Sequence, residues 1–484
     1  MLTDEKIAAQ ALATPEKPAF IHNGTACTYA DFARRLGAVA NYFSQQQDLT
    51  PPGVVALCVD HLAQAWVLGM ALRHLGLTTV AVGTLAEIGE LGLEGLRCVV
   101  TWAPEEGADT ADTEAQVART GLRWIRVPAD LGSNEASAPP VASPAGHIIP
   151  TSGTTGARKM ILRDPVVEAS TLALHAQING ISADSIVYVR DFPPWTAGGY
   201  RWPLLTWHQG ATVVFQQGGD FHVPMLDPAL THAFGTPMTL IFVSHAPEIP
   251  LRRNDNLRLL VTGGAMPRAL VAALKVRVSS QVFSVLASTE ALTVAMTLAE
   301  NLDDLPWHQV HPAREAQVVN EADEPLPPGQ VGLLRVKFLD GVDGYLNDEE
   351  ASRTFFRDGW FYSGDLAVFR ADGRLALCGR VTDVINILGN KIATAPIEAA
   401  LQQRLAVDAV CLLSLAGPGG DDEIHVVIES RQDLAPAALQ AAALEHLRGL
   451  GRVHFHQFRQ LPRNRMGKVV RAALHQHLLT RRGN

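Results

Sequence analysis

Short runs of Val, Ala and Leu, such as Val54-Val-Ala-Leu-Cys-Val59, alternate with helical patterns such as Leu62 to Leu75 across residues 20 to 100. This is the rhythm of strand-helix-strand units, which bury both faces of a mostly parallel sheet. It resumes from Glu168 to Ala295, where Ala211-Thr-Val-Val-Phe215, Leu240-Ile-Phe-Val-Ser244, Leu257-Arg-Leu-Leu-Val261 and Gln281-Val-Phe-Ser-Val285 read as buried strands. Between the two lobes, residues 104 to 146 are rich in Ala, Asp, Glu, Ser and Pro and read as an exposed, loosely packed passage. From Ala316 the pattern changes to antiparallel hairpins: Gln317 to Asn320 with Gly332 to Lys337, and a second across Ala371-Asp-Gly-Arg374. Past Gly379-Arg380 a separate α+β piece begins, with helices from Pro396 and over Pro436 to Leu447, and strands at Val410 and Ile424. The expected architecture is an α/β chain in two domains. Residues 1–380 form a large domain of doubly wound mixed sheets plus a β-barrel-like subdomain, and residues 381–484 a small α+β domain.

With 484 residues the chain is ample for a large core. Its net charge of −9, with both signs interspersed, offers no broad basic surface for nucleic acid, so an anionic ligand must be met by a local basic site. The five cysteines, Cys27, Cys58, Cys98, Cys378 and Cys411, stand singly in apolar surroundings and read as free thiols of a reducing cytoplasm. The apolar stretch Val54 to Val82 is interrupted by Asp60, His61, Gln64, Arg73 and His74, which excludes a membrane span there. His147, His175, His208, His245, His308 and His311 lack metal-ligand spacing and read as structural or exposed.

Two lysine-bearing stretches carry the chemistry. Thr151-Ser-Gly-Thr-Thr-Gly-Ala-Arg-Lys159 suits polyphosphate: glycines let backbone N–H groups approach an anion, hydroxyls add donors, and the lysine supplies a point charge. The Gly-x-x-x-x-Gly-Lys-Ser/Thr loop of nucleoside triphosphatases is excluded, because two residues separate Gly156 from Lys159 and Met160 follows it. Apolar His147-Ile-Ile-Pro150 and Met160-Ile-Leu162 flank the loop like two strands of a hairpin. Some three hundred residues later comes Leu461-Pro-Arg-Asn-Arg-Met-Gly-Lys468.

In this order the chain contains Thr151 to Lys159, Gly263-Gly-Ala-Met-Pro267, Ser288-Thr-Glu290, Tyr362-Ser-Gly-Asp-Leu366, Gly379-Arg-Val-Thr-Asp383 running on to Gly389-Asn-Lys391, and Asn464 to Lys468. From Thr28 to Leu474 it thereby resembles the adenylate-forming superfamily of acyl-CoA and aryl-CoA synthetases, peptide-synthetase adenylation domains and luciferase. It is most like a stand-alone acyl or aryl acid ligase. The resemblance implies ATP and Mg2+ as cofactors. Thr151, Ser152, Gly153, Thr154, Thr155, Gly156 and Lys159 would hold the β- and γ-phosphates, Thr289 would donate to the α-phosphate, and Glu290 would be the metal ligand. Asp365 would hold the ribose hydroxyls, with Arg380 reaching ribose or phosphates, and Gly264 and Ala265 would let backbone approach the adenine. Lys468 would bridge the carboxylate and the α-phosphate. The small domain would rotate about a hinge at Thr382, where the family usually has Asp or Lys, and Gly389 would then line the thiol channel. Leu286 and Ala287 replace the common aromatic residue and glycine before Thr289.

By the same resemblance the acyl pocket lies around Trp195, Ser244, Gly263 and Leu286. No acid occurs between Phe192 and Gly210, although Asp191 lies just outside, so an aryl or medium acyl acid is expected rather than an amino acid. The implied reaction joins a small-molecule carboxylic acid to a thiol, that of CoA or of the phosphopantetheine arm of a separate acyl carrier protein. An amino-acid-adenylating enzyme and a catalytically silent relative are the remaining alternatives. A homodimer is compatible with this reading; nucleic acid and membrane are not expected partners.

Overall fold

The structure is a computed structural model that describes residues 1–47, 49–102, 111–128, 131, 144–151, 158–190, 192–246, 248–264, 266–337, 342–346, 348–387, 390–416, 422–448, 452–463 and 469–482. Its contacts divide the chain into two compact units. Unit 1 comprises Met1–Leu305, His311–Arg314 and Lys337–Phe361, and unit 2 comprises Pro306–Val310, Glu315–Val336 and Tyr362–Asn484.

Unit 1 contains two mixed sheets. The six-stranded sheet runs, edge to edge, Arg123–Val127, Leu96–Trp102, Val54–Leu57, Thr78–Ala81, β1 (His147–Pro150) and β2 (Met160–Arg163). Its pairs are parallel except the last, where β1 and β2 form the antiparallel hairpin expected around the lysine loop. Helix Leu62–His74 makes the crossover from Val54–Leu57 to Thr78–Ala81; ten of its residues are buried, consistent with a pattern that is apolar on every side. The eight-stranded sheet runs from Thr25–Thr28 through Pro18–His22, Thr212–Phe215, Ile186–Arg190, His232–Gly235 and Arg258–Val261 to β3 (Val282–Ser288) and β4 (Leu292–Leu298). It is parallel inside and antiparallel at both edges.

Helix α1 (Ala197–His208) packs into the core, with every residue from Gly199 to His208 buried. Trp207 is enclosed by Phe20, Phe32, Trp66 and Phe215, and its own indole N–H is satisfied by the Ala19 carbonyl at 2.9 Å.

Two expectations for this unit are corrected. Leu240 to Ser244 is not a strand but part of two helical turns, Pro237–Leu240 and Phe242–His245. Thr236 caps the first by accepting from the Thr239 amide at 3.2 Å, and Pro237 fits its first position; four consecutive apolar residues carry too little periodicity to outweigh such a cap. The supposedly loose passage 104 to 146 contains helix Ala111–Thr120 and the edge strand Arg123–Val127, which buries Ile125 and Val127. The polar residues of 111–120 lie mostly on the exposed side of that helix, and residues 104–110, 129–130 and 132–143 lie outside the described residues.

Past Ala316 the expected barrel-like subdomain is an antiparallel sheet ordered Trp307–His308, β6 (Leu375–Arg380), β5 (Trp360–Phe369), Val331–Lys337 and Ala316–Val319. The boundary between units falls inside β5, after Phe361. The rest of unit 2 includes the hairpin Val384–Ile387 with Asn390–Ala393, helix α2 (Thr394–Leu405), and a three-stranded sheet of β7 (Ala409–Ala416), β8 (Asp422–Glu429) and β9 (Val453–Phe458). Strands β7 and β8 are antiparallel, β8 and β9 parallel. One face, with Leu412, Val426 and Ile428, packs on Leu401 of α2 and Ala442 of α3 (Pro436–His446). The other, with Cys411, Leu413 and Val427, packs on Leu474 and Leu478 of α4 (Arg471–Arg482), four residues apart on one helix face. Burying each of those leucines contributes about 2 kcal/mol. Among the described residues no helix is long and apolar enough to cross a membrane.

Candidate active site

The Thr289-Glu290 pair sits in the turn that joins β3 to β4. Ser288 pairs with Leu292, Leu292 takes a left-handed backbone (φ 56°), and the Ser288 hydroxyl accepts from the Ala291 amide at 2.9 Å. This is a hairpin turn rather than a helix N-terminus, so no helix dipole contributes. Two buried arginines fix the turn from either side: Arg163, at the end of β2, donates to the Thr289 carbonyl, and Arg314 donates to the Ala291 carbonyl at 2.6 Å.

Glu290 accepts at Oε1 from the Tyr345 hydroxyl at 2.9 Å. Lys159 Nζ lies 5.0 Å from the centroid of the same tyrosine ring and 3.6 Å from that of Phe355. The loop lysine and the acidic residue are thus linked through one buried phenol, cation on its face and carboxylate on its hydroxyl. Backbone pairing places the elements: the Leu346 amide donates to the Met160 carbonyl at 2.7 Å, and the Thr151 amide to the Lys159 carbonyl at 2.7 Å, which closes the neck of the loop. Beside Lys159, Arg158 reaches the buried Glu87 at 2.8 Å, and Thr84 donates to the same carboxylate at 3.2 Å. Tyr345, Phe355, Arg158 and Glu87 escape the sequence reading; the only available signal was the Gly344-Tyr345 dipeptide before a capped helix.

Of the four residues expected to line the acyl pocket, Gly263 and Trp195 follow the carboxyl ends of parallel strands, the edge at which open α/β sheets bind ligands, whereas Leu286 lies within β3 and Ser244 in a helical turn. Gly263 follows Arg258–Val261 with φ +86°, a left-handed conformation that explains the glycine, and a Cβ there would still find 3.4 Å to Thr236. Thr262 donates to the Val285 carbonyl at 2.9 Å, drawing Gly263 and the half-buried Leu286 together. Gly264 comes next. Trp195, after Ile186–Arg190, packs on the core close to Gly83, where an added Cβ would meet its ring at 3.2 Å. The Ser244 hydroxyl is turned to its own helix, donating to the Ile241 carbonyl at 3.0 Å.

In unit 2, Asp365 lies inside β5, directly opposite Arg380 on β6, with Arg380 Nε 3.1 Å from Asp365 Oδ1. Gly379 adopts φ +121°, and a Cβ there would sit 3.1 Å from that of Ala395, so glycine is required just before Arg380. Thr382 lies in the short turn Val381–Asp383 that follows. Asp383 is 3.6 Å from Arg471 of α4, which also bonds Glu398 at 2.7 and 2.8 Å and the Leu412 carbonyl at 2.8 Å. Burial alone would pull the Arg471 guanidinium down, but the Glu398 carboxylate outweighs it and holds the charge. Ser152, Gly153, Thr154, Thr155, Gly156, Ala265, Gly389 and Lys468 lie outside the described residues.

Burial governs the buried histidines and cysteines. His147 stacks on Tyr200 at 4.5 Å and shares a 2.8 Å hydrogen bond with Thr79, and burial pulls its pKa down to about 3. Burial likewise lowers His208, His232 and His308 to about 4, and raises the Cys27 and Cys98 thiols to about 11 and those of Cys58 and Cys411 to about 12. Thiols raised this far stay protonated at neutral pH and are poor nucleophiles.

The profile of the AMP-binding enzyme family matches residues 7–346. The chain is an AMP-binding enzyme of the adenylate-forming superfamily. This AMP-binding enzyme is 26% identical over 422 residues to a feruloyl-CoA synthase of an Amycolatopsis species, covering 84% of each chain. It is 28% identical to a salicyl-AMP ligase / salicyl-S-ArCP synthetase of Mycobacterium tuberculosis over 61% of this chain and 54% of that protein. A match at 29% identity to the long-chain-fatty-acid–CoA ligase of Salmonella typhimurium takes in 44% of this chain and 39% of the ligase. Two solved structures have the same fold: ATP-bound MatB of Rhodopseudomonas palustris (TM-score 0.85, 20% identity, 99% of both chains) and o-succinylbenzoate CoA synthetase of Bacillus subtilis bound to its acyl-adenylate (TM-score 0.82, 20% identity, 97% of both chains).

Proposed function

We propose that this enzyme is an ATP-dependent acid–thiol ligase. An oxygen of the acid's carboxylate attacks the α-phosphorus of ATP, the bond from that phosphorus to the bridging oxygen breaks, and pyrophosphate leaves with the electron pair. A thiolate then attacks the acyl carbon, the bond to the phosphate oxygen breaks, AMP leaves, and the thiol proton passes to solvent. The observation that carries the reading is the linkage of Lys159, Tyr345 and Glu290: a cation for transferred phosphates and a hard oxygen ligand for Mg2+, held by one buried side chain.

The residues fit the group the reaction needs. Glu290 would hold Mg2+, which neutralises phosphate charge when bound. Thr289 would donate to the α-phosphate, and Lys159 with residues 151–156 would hold the departing pyrophosphate. Asp365 would take the ribose hydroxyls through its carboxylate, with Arg380 beside it, and Lys468 would bring the acid and the α-phosphate together. Gly264 and Ala265 would border the adenine. Residues 381–484 would move as the C-terminal domain about Thr382, and Gly389 would then face the incoming pantetheine.

The acid is aryl or acyl, accommodated around Trp195, Gly263, Ser244 and Leu286, and the acceptor is CoA. The feruloyl-CoA synthase relative, matched over most of both chains, supports an aryl acid and CoA. The carrier-loading relative favours a second reading, in which the acceptor is the phosphopantetheine of a separate acyl carrier protein. Supplying a preformed acyl adenylate with CoA or with a carrier protein separates the two. Thioester on CoA alone supports the first reading, thioester on the carrier alone the second, and none with either overturns thiol ligation.

A further inference from the structure

In unit 2 four polar residues occupy the face of the three-stranded sheet that α4 covers. His425 on β8 and His454 on β9 are register partners, and His456 lies opposite Val427. The two-residue period of a strand places Glu423 beside His425, and His456 beside His454, on this same face. The His425 ring stacks between its neighbours, with centroids 4.8 Å from His454 and 5.0 Å from His456.

We propose that Glu423, His425 and His454 form a binding site for a divalent transition ion of the Zn2+ class, with His456 as the positioning residue for His425. One ligand atom from each of the three lies within 4.8 Å of the others. A tetrahedral site with bonds of about 2.0–2.2 Å spaces its ligand atoms by roughly 3.3 Å, so on binding the three groups draw together and the stacked His425 and His454 rings turn until their in-plane lone pairs converge. Two imidazoles and a carboxylate make a nitrogen-rich set that suits Zn2+, whereas Mg2+ prefers oxygen ligands. His454 Nε2 lies 3.0 Å from Glu423 Oε2 and is buried, yet its geometry makes no hydrogen bond, as for two groups directed at a shared third centre. His425 Nδ1 and His456 Nε2 are 2.7 Å apart, which orients the His425 ring, as an outer partner does for a metal-bound histidine.

Glu423 is 5% exposed, and a carboxylate so placed is tolerated only with a cationic partner. Arg452, 3.8 Å from Glu423, is one competing cation, and its 82% exposed side chain can swing into solvent when an ion arrives. The ion would tie the edge strand β9 to β8. Its effect is therefore on the stability of this sheet, and the site uses no residue assigned to ATP.

The test uses the full, tag-free chain stripped of metal, titrated with Co2+ and Zn2+ in excess Mg2+ and without nucleotide. The expected result is one equivalent of Co2+ with tetrahedral visible absorption, displaced by Zn2+, and a Tm raised by Zn2+. His454→Ala removes the absorption and the Tm shift while ATP–pyrophosphate exchange stays unchanged, and His456→Ala weakens binding roughly 10- to 100-fold. Glu423→Gln, of the same shape, decides the matter if His454→Ala fails to fold. Absence of stoichiometric binding, or binding equal to wild type in both the Glu423 and His454 variants, would overturn the site. Neither outcome bears on acid activation.

Discussion

The two units hold their candidate nucleotide residues in contrasting ways. In unit 1, Glu290 stands in a turn clasped by two buried arginines, and its carboxylate is bonded to a tyrosine that also carries Lys159. In unit 2, Asp365 and Arg380 meet across two strands at 3.1 Å, with the Arg380 side chain half exposed. Glu290 and Lys159, proposed for metal and phosphate, are held in place in advance, while Asp365 and Arg380, proposed for the ribose, make a surface contact of the kind worth at most about 1 kcal/mol. Groups that must stabilise charge in a transition state gain most from being fixed beforehand, whereas groups that only bind the nucleotide can be assembled when it arrives.

Substitutions can break this contrast. The largest effect is expected for Lys468→Ala, which should abolish adenylation but leave thioester formation from a supplied acyl adenylate largely intact; equal loss in both half-reactions, measured separately, would remove its assigned role. Next, Glu290→Gln should lower kcat for adenylation by roughly 100-fold, while Asp365→Ala should raise the KM for ATP by roughly tenfold with a smaller change in kcat. Steady-state kinetics with varied ATP and Mg2+ checks both, and the reverse pattern would invert the comparison. Tyr345→Phe deletes only the hydroxyl on Glu290 and should cost roughly tenfold in kcat/KM, with a raised Mg2+ requirement; an unchanged Mg2+ curve would detach Tyr345 from the metal ligand.

The smallest expected effect concerns acid stability. His147, His208 and His232 of unit 1 are depressed to about 3, 4 and 4, against about 6.5 in the unfolded chain. Between these values the unfolded chain binds protons that the folded chain refuses, so stability is full above about pH 6.5 and falls as pH drops towards 4. The Tm should therefore decline from pH 7 to pH 5, and His147→Gln should flatten the decline even if it lowers the Tm itself. A slope identical to wild type would show that His147 takes up its proton in the folded state.

Much of this was legible beforehand where a local signal has a single physical reading. The hairpin around the lysine loop, the parallel strands of both lobes and the α+β piece after Arg380 follow from period and turn chemistry. Leu240 to Ser244 misled because four consecutive apolar residues serve strand and helix equally and the cap at Thr236 decided between them. Tyr345 was invisible because its importance lies in joining Glu290 and Lys159, residues 55 and 186 positions away in the chain, and no periodicity marks such a partner. Glu423, His425, His454 and His456 were overlooked for a similar reason: a Glu-x-His and a His-x-His become one cluster only when β8 and β9 pair in this register.

The central claim is that this chain activates a carboxylic acid as an adenylate. ATP–pyrophosphate exchange across benzoates, cinnamates, short- to long-chain fatty acids and amino acids tests it most directly. The account predicts strong exchange with one class of aryl or acyl acids and loss of that exchange in Lys468→Ala. Folded protein that binds ATP and exchanges pyrophosphate with none of these acids would contradict it.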